Sequence, residues 1–196
     1  INPLSSAQSV MRTTLVPSLM RNACDNLNNN IDTLKLFEIS TVFIASDNPS
    51  PEELRRVACI MTGLRGGDLW NQDKSRVDFF DIKGVVETLF NRLRISPYRF
   101  CSRNHESYLH PKRSQYVYIS DSCAGSFGEV HPDVTDSFGI KVPVYVFELD
   151  FDLLSSYYAK DVSYRPFSRY PSIFRDLALM VDKRIPADDI SSAIAE

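Results

Sequence analysis

An α+β fold, a largely antiparallel sheet carrying helices on one face, is what this chain of 196 residues predicts. Three observations lead there. Residues 34–44 alternate as one long strand. Residues 79–93 carry a broad apolar stripe at helical spacing behind an aspartate. Short strand-like runs separated by turn residues fill much of the stretch from 98 to 150.

The elements follow in order. Pro17 suits the first turn of a helix, where its missing N–H costs little. From there Leu19, Met20, Ala23, Cys24 and Leu27 recur at helical spacing, with Arg21, Asn22, Asp25 and Asn26 on the other side. Asn28-Asn29-Asn30 ends the helix, because asparagine tolerates the left-handed conformation of a helix exit. Its apolar stripe reads either as core or as packing at a subunit interface, and both can hold. In the strand at 34–44, Phe37, Ile39, Thr41 and Phe43 share one face, and Leu36, Glu38, Ser40 and Val42 the other. Glu38 thus sits on a mixed face suited to lining a cleft.

Asp47 to Pro51 is a loop, Val57–Met61 a second, buried strand, and Gly63 to Gly67 the turn after it. Asp78 caps the clearest helix, in which Phe79, Phe80, Ile82, Val85, Val86, Leu89, Phe90 and Leu93 cover one wide face meant for a sheet. Strands are expected at 98–102, 115–120 and 124–130, the last two joined at Asp121-Ser122. His131-Pro132 leads into a short helix ending near Gly139. A core strand from Val144 to Asp150 runs into a helical segment at 151–158. The pattern breaks into a linker around Val162 to Pro166. A strand (Ile173 to Val181) and a helix opening at Pro186 then begin a second domain, since one strand and one helix cannot bury a core. The expected division is 1–162 and 163–196.

Bulk properties exclude several classes. The composition, 43% hydrophobic and 24% charged, is that of an ordinary globular chain, and a net charge of −3 gives no overall nucleic-acid signal. No apolar run approaches a membrane span, and no secretory pattern opens the chain. Cys24, Cys59, Cys101 and Cys123 are scattered without CxxC spacing, which argues against a disulfide framework or zinc knuckle and for a reducing cytoplasm. The chain opens at Ile1 without a methionine and stops at Glu196 in mid-pattern, as a piece of something larger or a processed protein would.

Chemistry is sparse. His105, His110 and His131 with Glu106 match no common ligand spacing, so structural roles are expected and no metal site is assigned. Gly66-Gly67 is too short to cradle a phosphate and lacks the Gly-Lys-Ser/Thr ending. No serine or cysteine stands in a nucleophile context. No catalytic or cofactor-binding residue is assigned. Between Lys160 and Arg184 six basic residues face three acids, interleaved with Tyr164, Phe167, Tyr170 and Phe174. Arginines contact phosphate and aromatics stack on bases, so Arg165, Arg169 and Arg175 are candidate RNA contacts against the alternative of a solvated linker.

A run of segments, in order, resembles one family. They include Asn2-Pro3-Leu4-Ser5, Met11 to Pro17, Leu36-Phe37-Glu38-Ile39, Val77 to Gly84, Leu109-His110-Pro111, Gly128 to Pro132, Phe147 to Asp150, Tyr170-Pro171 and Arg175 to Leu179. The family is the beta subunit of bacterial-type phenylalanyl-tRNA synthetase. The resemblance implies that 1–162 is a class II synthetase-like, non-catalytic core. It also implies that 163–196 is a truncated strand–helix stub of a ferredoxin-fold anticodon-binding domain.

It further implies an alpha subunit as partner in an alpha2–beta2 tetramer that joins phenylalanine to its tRNA with ATP and magnesium, in the cytoplasm and away from membranes. By the same resemblance Pro17, Leu19, Met20, Ala23 and Leu27 become candidate subunit-interface residues. A bare interface would also allow a homodimer of the isolated chain. An active class II core holds the ATP α-phosphate with an arginine on its second-motif strand. Here the matching strand offers Leu36-Phe37-Glu38-Ile39 beside Lys35, and the third-motif segment Val144 to Leu154 carries Glu148, Asp150 and Asp152 with no glycine or arginine. The parent complex is thus expected to be an enzyme and this chain by itself catalytically inactive. The alternatives are a stand-alone RNA-binding module and a self-sufficient class II-like adenylate-forming ligase.

Overall fold

The structure is a computed structural model that describes residues 10–47, 49–66, 70–71, 73–102, 106–158, 169–171, 173–185 and 187–195. The chain divides into two compact units, Ile1–Asp161 and Val162–Glu196. The first runs α1 (Val16–Asn28), β1 (Leu34–Ile44), β2 (Glu52–Thr62), α2 (Phe79–Leu93), β3 (Tyr98–Cys101), β4 (Leu109–Ile119), β5 (Ser122–Val130), α3 (Pro132–Ser137), β6 (Tyr145–Asp150) and α4 (Phe151–Tyr157). Its six strands form one antiparallel sheet in the order β1-β2-β6-β5-β4-β3.

The sheet is covered on both faces, not on one as the sequence suggested. The two-residue period of β2 separates them. Val57, Cys59 and Met61 join Ile82, Val86 and Phe90 of α2 in one core. Ala58 and Ile60 join Leu15, Leu19, Met20 and Ala23 around α1 in another. Both helices begin and end for local reasons. Pro17 lies in the first turn of α1, and Asn30, just past its end, takes the left-handed conformation at φ 62°. The Asp78 carboxylate accepts from the Phe80 and Asp81 amides at 2.8 and 3.1 Å, while Asp81 accepts from the Asp78 amide at 2.7 Å, a reciprocal capping box.

Only part of the broad α2 stripe is buried. Ile82, Val86 and Phe90 are fully enclosed, whereas Phe80 is 72% exposed. The helix lies over β5 and β6 and α4 packs on β2, so edge strand β1 keeps an uncovered apolar trough on this side, where Phe37 is 73% exposed beside Ile39 and Val85.

Three strands differ from expectation by more than two residues. β2 begins at Glu52 instead of Val57. β4 begins at Leu109 instead of 115, because the sheet absorbs Pro111 through a register shift between Leu109 and Ser114. In the second unit, residues 173–181 form no strand. A strand exists through hydrogen bonds to a partner strand, and the described residues of this unit supply none. That unit contains α5 (Ala187–Ala195). The segment Asn2-Pro3-Leu4-Ser5, Gly67, His105, Arg165, Pro166 and Pro186 lie outside the described residues.

Candidate functional site

The strand register builds a polar floor on the α1 face. Glu38 pairs with Ala58, Ala58 with Glu148, Glu148 with Ser126, and Ser126 with Tyr116, so these five residues stand in one row across five strands. Two residues along, Ser40, Arg56 and Asp150 form a second row. Between the rows and the Tyr108 side of β4 lies a cleft of about 500 Å³, lined in part by Thr14, Arg56, Glu106, Tyr108, Ser126 and Glu148. Gly125 lets β5 approach β6 here: at φ +141° a Cβ would collide with the Glu148 carbonyl oxygen.

The cleft's charges are spent on the chain itself. The segment Met11–Leu15, just before α1, lies along the two carboxylates of the first row. Arg12 Nη1 donates to Glu38 Oε1 at 2.7 Å, Nη2 donates to the Ser40 hydroxyl, and Nε donates to the Thr41 carbonyl at 3.2 Å. The Phe43 amide donates back to the Arg12 carbonyl at 2.8 Å. Two and three residues on, the Thr14 hydroxyl donates to Glu148 Oε2 at 2.8 Å and the Leu15 amide to Glu148 Oε1 at 2.7 Å. In the second row Arg56 pairs with Asp150 at 3.2 Å, and Asp150 also caps α4 by accepting from the Leu153 amide at 2.8 Å.

The tyrosines are fixed as neutral groups. Burial, reinforced by the Glu148 charge, pushes the Tyr108 hydroxyl well above the ordinary phenol range. Tyr116 is raised as well, first by burial and then by donating to Glu106 Oε1 at 2.8 Å. On the opposite face, burial and the nearby Glu129 push Tyr145 up to about 12. None of these tyrosines can serve as a general base near neutral pH. The arrangement is a set of acceptors already supplied with donors, chemically closed in place of poised.

Among the residues singled out from the sequence, Leu19, Met20 and Ala23 are buried in the core of their own unit. Pro17 is exposed and Leu27 half-buried. Arg169 and Arg175 are exposed, as are Tyr170 and Phe174. The rings of His110 and His131 lie 6.3 Å apart, and each Nδ1 accepts a backbone amide, from Lys112 and Asp133, which accounts for both. All four cysteines are free. Asp152 lies apart from the cleft carboxylates, bound to Arg55 at 2.9 Å. Sequence reasoning placed Glu38 and Glu148 but missed Arg12 and Arg56. The signal for Arg56 was present in the alternation of Arg56, Ala58 and Ile60; nothing local marks Arg12 as the partner of Glu38.

Residues 1–151 match the family model described as "Phenylalanyl tRNA synthetase beta chain CLM domain". The chain belongs to this family. Relatives named phenylalanine–tRNA ligase beta subunit come from Syntrophus aciditrophicus (42% identical over 95% of this chain), Geobacter sulfurreducens (42% over 98%) and Bacillus subtilis (35% over 99%). The chain spans about a quarter of their length: 23%, 24% and 24% respectively. A solved pyrrolysyl tRNA synthetase from Desulfitobacterium hafniense is similar in fold, with a TM-score of 0.53 and 12% identity over 74% of this chain and 48% of that one. The α+β architecture expected, an antiparallel sheet flanked by helices, is the one found, and its fold is like that of this synthetase. Among the described residues no helix is long and apolar enough to cross a membrane.

Proposed function

We propose that this chain is a non-catalytic, assembly-forming part of the beta subunit of phenylalanine–tRNA ligase, whose alpha subunit carries the chemistry of joining phenylalanine to its tRNA. The observation that carries the reading is a family core whose floor is already satisfied. Glu38 and Glu148 are held by the chain's own Arg12, Thr14 and Leu15, and Asp150 by Arg56.

Such a floor does not fit a nucleotide triphosphate. Its carboxylates repel phosphate, and both arginines beside it are paired. A magnesium ion would have to displace the donors on Glu148, and no group of three possible metal ligands exists among the described residues. ATP and magnesium accordingly belong with the alpha subunit in this reading.

The partner is the alpha subunit in an alpha2–beta2 assembly. The exposed trough of Phe37, Ile39 and Val85 supports a part designed to be covered, since apolar faces of this kind mark contact surfaces. The interface role of α1 falls on Pro17 and its exposed neighbours. In the same proposal residues 163–196 are the opening of a ferredoxin-fold anticodon-binding domain, and the exposed Arg169 and Arg175 with Tyr170 and Phe174 support tRNA contact.

The test is co-purification with the cognate alpha subunit, together with phenylalanine-dependent ATP–pyrophosphate exchange on the chain, the alpha subunit and the mixture. Binding without exchange by the chain alone is expected. Exchange by the chain alone would overturn the reading.

A further inference from the structure

The polar contacts described between Met11–Leu15 and the sheet fall at two places, edge strand β1 and Glu148 of β6. At the β1 end the three nitrogens of the Arg12 guanidinium meet three different oxygens, those of Glu38, Ser40 and the Thr41 carbonyl. A fork of donors in one plane is what that trio recognises, and an ammonium could not reach all three from one position. At the β6 end, both oxygens of Glu148 are taken by adjacent residues of the same segment. Ala58, fully buried and in the same core cluster as Leu15, separates the two ends across β2. The two anchors therefore stand two strand spacings apart, about 10 Å. The three residues from Arg12 to Leu15 can span that distance when extended.

We propose that the β1 end of this face is a guanidinium-binding site whose resident ligand is the chain's own Arg12, and that Met11–Leu15 closes over the floor as a single strap. The inference rests on the non-catalytic reading and deepens it by naming what holds the two carboxylates of the first row. It is tested by a measurement that does not involve the alpha subunit.

Hydrogen–deuterium exchange on the 196-residue chain reads two amides. Phe43 N–H bonds the Arg12 carbonyl at one anchor, and Leu15 N–H bonds Glu148 at the other. In Arg12→Ala both should exchange at least tenfold faster, while Phe127 in central β5 keeps its protection. Millimolar ethylguanidine should restore Phe43 and Leu15, and ethylamine at the same concentration should not. Unchanged protection at Leu15 would mean two separate contacts and no strap. Failure of ethylguanidine to restore protection would remove the guanidinium site.

If Arg12→Ala does not fold, Glu38→Gln carries the same test. Its Leu15 amide must exchange faster and must not respond to ethylguanidine, and wild-type exchange there overturns the proposal. Both outcomes are independent of pyrophosphate exchange, so failure here leaves the scaffold reading to its own experiment.

Discussion

Glu148 illustrates how little slack single residues have in this core. Replacing Thr14 by valine removes the donor on Oε2 and leaves a half-buried carboxylate oxygen short of a partner, a loss of about 1–3 kcal/mol. Urea denaturation should register it as a lower midpoint with an unchanged slope. Asp81 makes a pH prediction. Burial alone would raise its pKa, but the Arg65 guanidinium at 2.8 Å and its bonds to Asp78 outweigh burial and hold it below the usual carboxylate range. The unfolded chain then binds more protons as the pH drops. The stabilisation is complete above the ordinary aspartate pKa of about 4 and is lost as pH falls through the lower folded value. Asp81→Asn should therefore lower the melting temperature at pH 7 and flatten its decline in acid. The cysteines divide by environment: burial pushes the Cys59 thiol up to about 11, whereas Cys123 is exposed. Iodoacetamide at pH 8 should modify Cys123 in the folded chain and reach Cys59 only on unfolding.

Helix α2 rests on its cap and on one buried ring. Asp78→Ala removes the acceptor for the Phe80 and Asp81 amides and should cost about 1 kcal/mol by denaturant titration. Phe90→Ala leaves a void in the core and should cost about 3–5 kcal/mol. Both features were legible beforehand, because a cap and a 3.6-residue stripe are local signals. The bounds of β1 were legible for the same reason, since the two-residue period read over 34–44 matches the strand found at Leu34–Ile44. β4 was read short, since Pro111 argues against a strand until the bulge that accommodates it is seen. The exposure of Phe80 was not legible at all. Helical periodicity shows which side of α2 is apolar, but only the position of the helix over β5 and β6 decides how much of that side is covered.

Across the core as a whole, the floor of the cleft is a non-local object. Arg12 and Glu38 are 26 residues apart, and Leu15 and Glu148 are 133 apart. Sequence patterns supply the carboxylates but cannot pair them. The uncovered trough is equally a property of the assembled sheet, and Phe37→Lys on edge strand β1 should reduce self-association in sedimentation velocity without lowering the melting temperature. The separation of the strap from its farther anchor also has a temporal side. At about 5–20 residues per second, a ribosome that has made Leu15 needs some seconds to half a minute more before Glu148 exists. During that interval the Leu15 amide and the Thr14 hydroxyl lack Glu148 as an acceptor, and the hairpin of β1 and β2 can form around Arg12 long before the strap's other end can close. The earliest-made part of the cleft is thus among the last to be secured.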